Sequence, residues 1–151
     1  MTTYYNINPQ FYVSVDCIIF GFDKGSLKLL LLKRNFEPAK GSWSLMGGFV
    51  QDGESVDDAA KRVLAELTGL ENVYMEQVGT FGEVDRDPGE RVISVAYYAL
   101  ININEYDRNL VQQHNAHWAE INEIPPLVFD HPQMVKPVSY THLTLPTILL
   151  V

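Results

Sequence analysis

The sequence predicts an α+β protein, an α/β/α sandwich built on a mixed β-sheet. Two observations predict it: short runs of β-branched and aromatic residues, and one strongly marked helix with such runs on both sides of it. A third, the length of 151 residues, suits one domain with a core large enough to need no disulfide or structural metal.

The elements follow in order. Residues 11–22 are apolar and rich in β-branched and aromatic side chains, so they predict a strand. Asp23-Lys24-Gly25-Ser26 is a turn, and residues 27–32 predict a second strand that closes a hairpin with the first. Residues 35–42, with Pro38 and Gly41, predict a loop, and residues 43–50 a short strand broken at Gly47-Gly48. The helix spans Val56–Thr68. Ser55 is its N-cap, Asp57 and Asp58 suit the positive end of the helix dipole, and Gly69 is the expected residue after its last turn. Residues 73–81 and 91–103 predict two more strands around the loop 82–90. A short helix or turn at 106–115, an edge strand at 117–121 and a helix capped by Asp130 and starting after Pro132 complete the reading.

Composition narrows the function. Charged residues are 20% of the chain and apolar residues 46%, the balance of a folded protein rather than a disordered one. The net charge is −8, with eleven basic residues scattered among nineteen acidic ones, which argues against direct binding of nucleic acid by this portion. The one cysteine, Cys17, lies in an apolar run with no basic neighbour, so it reads as a buried thiol in a reducing compartment rather than as a nucleophile. The N-terminus has no signal-peptide pattern, and residues 13–22 are too few to span a membrane and include Asp16. A soluble, cytoplasmic protein is expected, with no membrane partner. His114, His117 and His131 show no metal-ligand spacing and read as surface or satisfied histidines.

The end of the chain differs in kind. Residues 137–151 contain no Asp, Glu, Lys or Arg, and residues 138–147 read VSYTHLTLPT. That string resembles one reading frame of a transposase adapter used to prepare DNA-sequencing libraries. The expectation is a native domain over 1–136, cut short, followed by a non-native tail over 137–151. The alternative is a genuine β-rich tail.

The chemistry concentrates in residues 48–70, GFVQDGESVDDAAKRVLAELTGL. This stretch resembles the box of the Nudix family: Gly, five residues, Glu, seven residues, then Arg-Glu-apolar-any-Glu-Glu-any-Gly-apolar. Gly48, Glu54, Arg62, Leu64, Glu66, Gly69 and Leu70 take their places in it. Val63 and Leu67 stand where two glutamates belong. In helical spacing, positions 63, 66 and 67 share one face. Three carboxylates there would cage Mg²⁺, a hard cation that needs several oxygen ligands; one carboxylate between two apolar neighbours holds it poorly. The resemblance therefore implies a remnant box (Gly48, Glu54, Arg62, Glu66, Gly69) in which Glu66 and Glu54 are at most weak metal ligands. Read without the resemblance, Val56, Ala59, Ala60, Val63, Leu64 and Leu67 form an apolar packing stripe, and Arg62 and Glu66 are either a structural ion pair or a remnant of a site.

Residues 29–50 resemble the strand–loop–strand that leads into the box in Nudix proteins, with Met46 in place of the usual Pro, residues 79–100 resemble a segment of Nudix proteins related to ADP-ribose pyrophosphatases, and residues 124–131 resemble the close of that domain. The pattern is most similar to the sensor domains of Nudix-related transcriptional regulators of NAD or pentose metabolism. This resemblance implies an inactive, dimeric domain that binds a nucleotide-sugar or sugar effector and reaches DNA only through a C-terminal winged-helix domain beyond residue 136. The rival is an active Mg²⁺-dependent hydrolase of ADP-ribose or a related nucleoside diphosphate, its metal site rebuilt from Glu54, Glu66 and Glu83 or Glu90. For either, the implied ligand contacts are Arg34, Phe36, Trp43, Gly47, Gly48, Phe81, Arg86 and Arg91, the arginines meeting phosphate or carboxylate and the aromatics stacking on a ring. Core packing is the alternative for the aromatics, and a local pair with Asp85 or Asp87 the alternative for Arg86.

Overall fold

A computed structural model describes residues 3–141. A short helix α1 (Thr3–Asn6) precedes the hairpin β1 (Tyr12–Asp23) and β2 (Ser26–Lys33). Then come β3 (Trp43–Ser44), β4 (Met46–Phe49), the long helix α2 (Val56–Thr68), β5 (Glu76–Phe81) and β6 (Val92–Asn102). A short helix α3 (Arg108–Gln113), β7 (Ala116–Glu120) and α4 (His131–Thr141) complete the order.

The sheet is mixed. β1 runs parallel to β6 along its whole length, from Tyr12 opposite Val92 to Phe22 opposite Asn102. A parallel pair requires a crossover, and α2 supplies it. The other edge of β1 is shared: Ser14 to Cys17 pair with β4, and Phe20 to Asp23 pair with β2. The hairpin thus opens like a fork, and β3 and β4 fill the gap. β5 lines the far side of β6 and β7 the outer edge of β2.

Alternation along β1 sends successive side chains to opposite faces. Val15, Cys17 and Ile19 pack with Ala59, Ala60, Val63 and Leu64 of α2. Ile18 and Phe20 pack with Met134, Val135 and Val138 of α4 on the other face. The two apolar layers make the three-layer sandwich that the pattern predicts. Asp16 lies on the α4 face, a buried carboxylate in the middle of a central strand.

Some boundaries depart from expectation, each for a tertiary reason. The break within residues 43–50 falls at Leu45, not at Gly47-Gly48, because Leu45 is fully buried and its N–H donates to His131 Nδ1 at 3.2 Å. Gly47 and Gly48 keep strand register with Asp16 and Val15. The strand expected from residue 73 begins at Glu76, because Leu70 and Val73 turn inward around Asn72 (φ 59°) and join the α2-side core. α4 begins at His131, one residue before Pro132. Asp130 does not cap it with its side chain; that carboxylate is taken by Arg86. Of the stretch 137–151, residues up to 141 continue α4, with Val138 fully buried, and residues 142–151 lie outside the described residues. Among the described residues no helix is long and apolar enough to cross a membrane.

Candidate functional site

The box helix is built as its sequence dictates. Ser55 Oγ accepts the Asp58 N–H at 3.1 Å, and Gly69 closes the C-terminus in the left-handed region at φ 79°. Val63 is buried against Gly48: a Cβ added at Gly48 would lie 2.8 Å from Val63 Cγ2. Leu67 is half-buried on the same core. Arg62 gathers what carboxylates remain. Its Nε and Nη2 donate to the two Glu54 oxygens at 3.0 and 2.7 Å, its Nη1 to Glu66 at 3.1 Å, and its Nη2 also to the Phe49 carbonyl at 2.8 Å. The hydrogen bonds from Arg62, and then the Gln51 N–H, hold the Glu54 carboxyl below its ordinary pKa. Arg62 and Glu66 thus form an ion pair, with Glu54 as the third member.

This donor set does not fit Mg²⁺. Both carboxylates already serve one guanidinium, and the two adjoining positions on the helix face carry hydrocarbon. Glu83 and Glu90 are exposed in the 82–90 loop, and among the described residues no three His, Cys, Asp or Glu side chains converge as a metal ligand set.

A cleft that gathers most of the expected ligand contacts lies on the other face of the sheet. It holds about 280 Å³ and is floored by Asp16, Arg86 and His131, with Gly47 and Gly48 along one wall. It touches the box only through β4. Asp16 is 4% exposed and has one partner on each oxygen: Ser94 Oγ donates to Oδ2 at 2.5 Å, and His131 Nε2 lies 3.2 Å from Oδ1. Because His131 Nδ1 accepts the Leu45 N–H, Nε2 is the protonated nitrogen and donates to Asp16. Gly47 makes room for this carboxylate, since a Cβ there would lie 2.4 Å from Oδ1.

Arg86 is not the exposed loop residue its neighbours suggest. Its side chain is 4% exposed, and Nε and Nη2 each donate to Asp130 at 2.8 Å, a bidentate fork. It pairs with Asp130, 44 residues away, rather than with Asp85 or Asp87, because the 82–90 loop folds back onto the head of α4. Nη2 also lies 3.9 Å from Asp16. Burial alone lowers the pKa of the guanidinium, but Asp130, Asp16 and Asp87 together raise it, so the charge is secure.

At the rim, Arg34 sits between two aromatic rings, 4.4 Å from the Phe36 centroid and 5.4 Å from that of Phe129, with Nε donating to the Pro38 carbonyl at 2.8 Å. Burial lowers its pKa against the raising pull of Asp16, Asp87 and Glu37. The cleft thus brings together Arg34, Phe36, Gly47, Gly48 and Arg86. Trp43 lies elsewhere, packed on the α4-side core with Lys33 over its ring and His117 at its edge. Phe81 packs on that core as well, and Arg91 lies over the Phe11 ring with a long contact to the Gly82 carbonyl. Glu54, Arg62 and Glu66 do not line the cleft. Sequence reasoning missed Asp16, Ser94, Asp130 and His131 as a set. The available signal was Asp16 itself, a charge in the middle of an apolar strand.

A NUDIX domain model matches residues 10–138. The ADPR responsive transcriptional repressor NtrR of Acinetobacter baylyi is 34% identical over 132 residues, 85% of this chain and 53% of the repressor. The ADP-ribose pyrophosphatase of Methanocaldococcus jannaschii is 36% identical over 124 residues, 82% of this chain and 70% of that protein. The chain therefore spans about half the length of the repressor. Among solved structures, the NUDIX domain of Shewanella oneidensis NrtR complexed with ADP ribose aligns with a TM-score of 0.74 and 28% identity, over 92% of this chain and 97% of the other.

Proposed function

The chain belongs to the NUDIX domain family, and on that premise we propose that it is an effector-sensing domain that binds ADP-ribose or a similar nucleoside-diphosphate sugar without cleaving it. One observation carries this reading. Where the box pattern puts two of its carboxylates, Val63 is buried under Gly48 and Leu67 packs in the core, while Glu54 and Glu66 are both committed to Arg62. A diphosphate hydrolase that works through Mg²⁺ needs those oxygens to hold the metal and activate water. The cleft, by contrast, keeps what binding alone requires: two arginines for an anionic group, aromatic rings at the rim and a buried acceptor at the floor.

In this reading the ligand meets Arg34, Phe36, Gly47, Gly48 and Arg86, and Trp43, Phe81 and Arg91 support the surrounding loops. Binding shifts the population between arrangements of a homodimer, and a winged-helix domain following residue 136 carries the DNA contact. The net charge of −8 fits a sensing domain that does not itself grip DNA.

The second reading, an active ADP-ribose hydrolase, is favoured by the identity of 36% to the archaeal pyrophosphatase. An AMP-release assay with ADP-ribose and Mg²⁺ separates the two. The sensing reading expects no AMP from the chain. AMP release that Glu66→Gln abolishes would establish the hydrolase instead.

A further inference from the structure

Asp130, the residue before α4, and His131, its first residue, each hold one charged residue of the cleft floor. Asp130 grips the Arg86 fork by two bonds of 2.8 Å, yet it does not itself line the cleft; it stands behind the guanidinium. His131 fixes Asp16 from Nε2 while its Nδ1 is anchored by the Leu45 N–H. A buried carboxylate on a central strand costs several kcal/mol unless fully compensated, and an apolar residue would fill the position more cheaply. Asp16 is therefore retained for what it presents. Ser94 and His131 occupy two of its roughly four acceptor directions, and the carboxylate borders the cleft.

We propose that Asp130, from behind the cleft, and His131, in its floor, are positioning residues that set its ligand specificity. Asp130 aims Arg86 at an anionic group, and His131 aims Asp16 at a hydroxyl beside it. This rests on the sensing reading above and sharpens its ligand class. With Arg86 and Asp16 only 3.9 Å apart, the cleft selects a molecule that carries a phosphate-like anion and a hydroxyl donor on neighbouring atoms, as a sugar diphosphate does. Because His131 opens α4 and Asp130 immediately precedes it, occupancy also steadies the head of that helix, and by reciprocity anything that displaces the head weakens binding.

The test is calorimetric binding to the full chain of two probes, inorganic pyrophosphate (anion only) and ADP-ribose (anion and hydroxyls). Asp130→Asn is expected to weaken both about tenfold, the effect of losing one charged hydrogen bond. His131→Phe, which keeps an aromatic ring but removes both the donor to Asp16 and the acceptor of the Leu45 N–H, is expected to weaken ADP-ribose about tenfold and leave pyrophosphate unchanged. His131→Gln, which restores a donor at the Nε2 position, is expected to recover most of the loss. A general structural role would move both probes together in all three variants, and that pattern would overturn the proposal. Wild-type affinity in every variant would overturn it too while leaving the sensing reading in place. No binding of either probe to the wild type would overturn both.

Discussion

Gly47→Ala tests the architecture of the cleft with a single methyl group. Gly47 sits in ordinary strand register opposite Asp16, so the substitution carries no backbone penalty, and its whole cost is steric. The new Cβ would lie 2.4 Å from Asp16 Oδ1 and 3.5 Å from the Val15 carbonyl. The carboxylate cannot swing away without losing Ser94, held at 2.5 Å, or His131, held at 3.2 Å. Overpacking of this kind costs about 1–3 kcal/mol. A surrendered hydrogen bond to a buried charge adds about 1.5–3 kcal/mol. Partial relaxation of β4 offsets some of this, so the expected loss is about 3 kcal/mol. Urea denaturation measures it. The decisive control is the same substitution in an Asp16→Ala background, where the obstruction is gone and the expected cost falls below about 1 kcal/mol, a coupling that a double-mutant cycle reads directly. An equal cost in both backgrounds would refute the argument that Gly47 exists to admit the Asp16 carboxylate.

Three further outcomes follow from the same geometry. Val63→Glu puts a carboxyl in the buried position under Gly48 and should cost about 3 kcal/mol in chemical denaturation; in the Val63→Glu, Leu67→Glu protein, millimolar Mg²⁺ should raise Tm, while the native Tm stays unmoved. The Glu54 carboxyl is held below its ordinary value of 4.5 by Arg62, so its contribution is complete above that value and is lost as pH falls through the lowered one. The Tm gap between the native protein and Glu54→Gln should accordingly close only in acid, and a gap that is the same at pH 7 and pH 3 would contradict the pairing. Cys17 is fully buried, with burial and then Asp16 pushing its thiol far up, so a thiol reagent should label it in denaturant and not in the native state.

The contrast between what was legible and what was not has a physical cause. The box helix was readable from end to end because its caps, its dipole acids and its apolar stripe are all local: Ser55, Asp58, Gly69 and the run from Val56 to Leu67 specify it within one segment. The hairpin was readable for the same reason. The cleft was not, because its floor joins residues far apart in the chain. Asp16 meets Ser94 78 residues on, Arg86 meets Asp130 44 residues on, and Leu45 meets His131 86 residues on. Local reasoning offered Arg86 a ligand or a pair with Asp85 or Asp87, yet burial decides its partner, since a 4% exposed guanidinium needs a counter-ion on the same buried surface. The break at Leu45 rather than at the glycines has the same origin, a backbone N–H taken by a histidine from a distant helix.

On the proposed function, the chain binds ADP-ribose in its cleft and does not cleave it through a metal. Isothermal titration of the full chain with ADP-ribose, run once with Mg²⁺ and once with EDTA, tests it most directly, since the same trace reports binding and turnover. The account predicts the same saturable heat in both buffers and a flat baseline after saturation. A continuing heat of reaction that EDTA abolishes would show hydrolysis and contradict it.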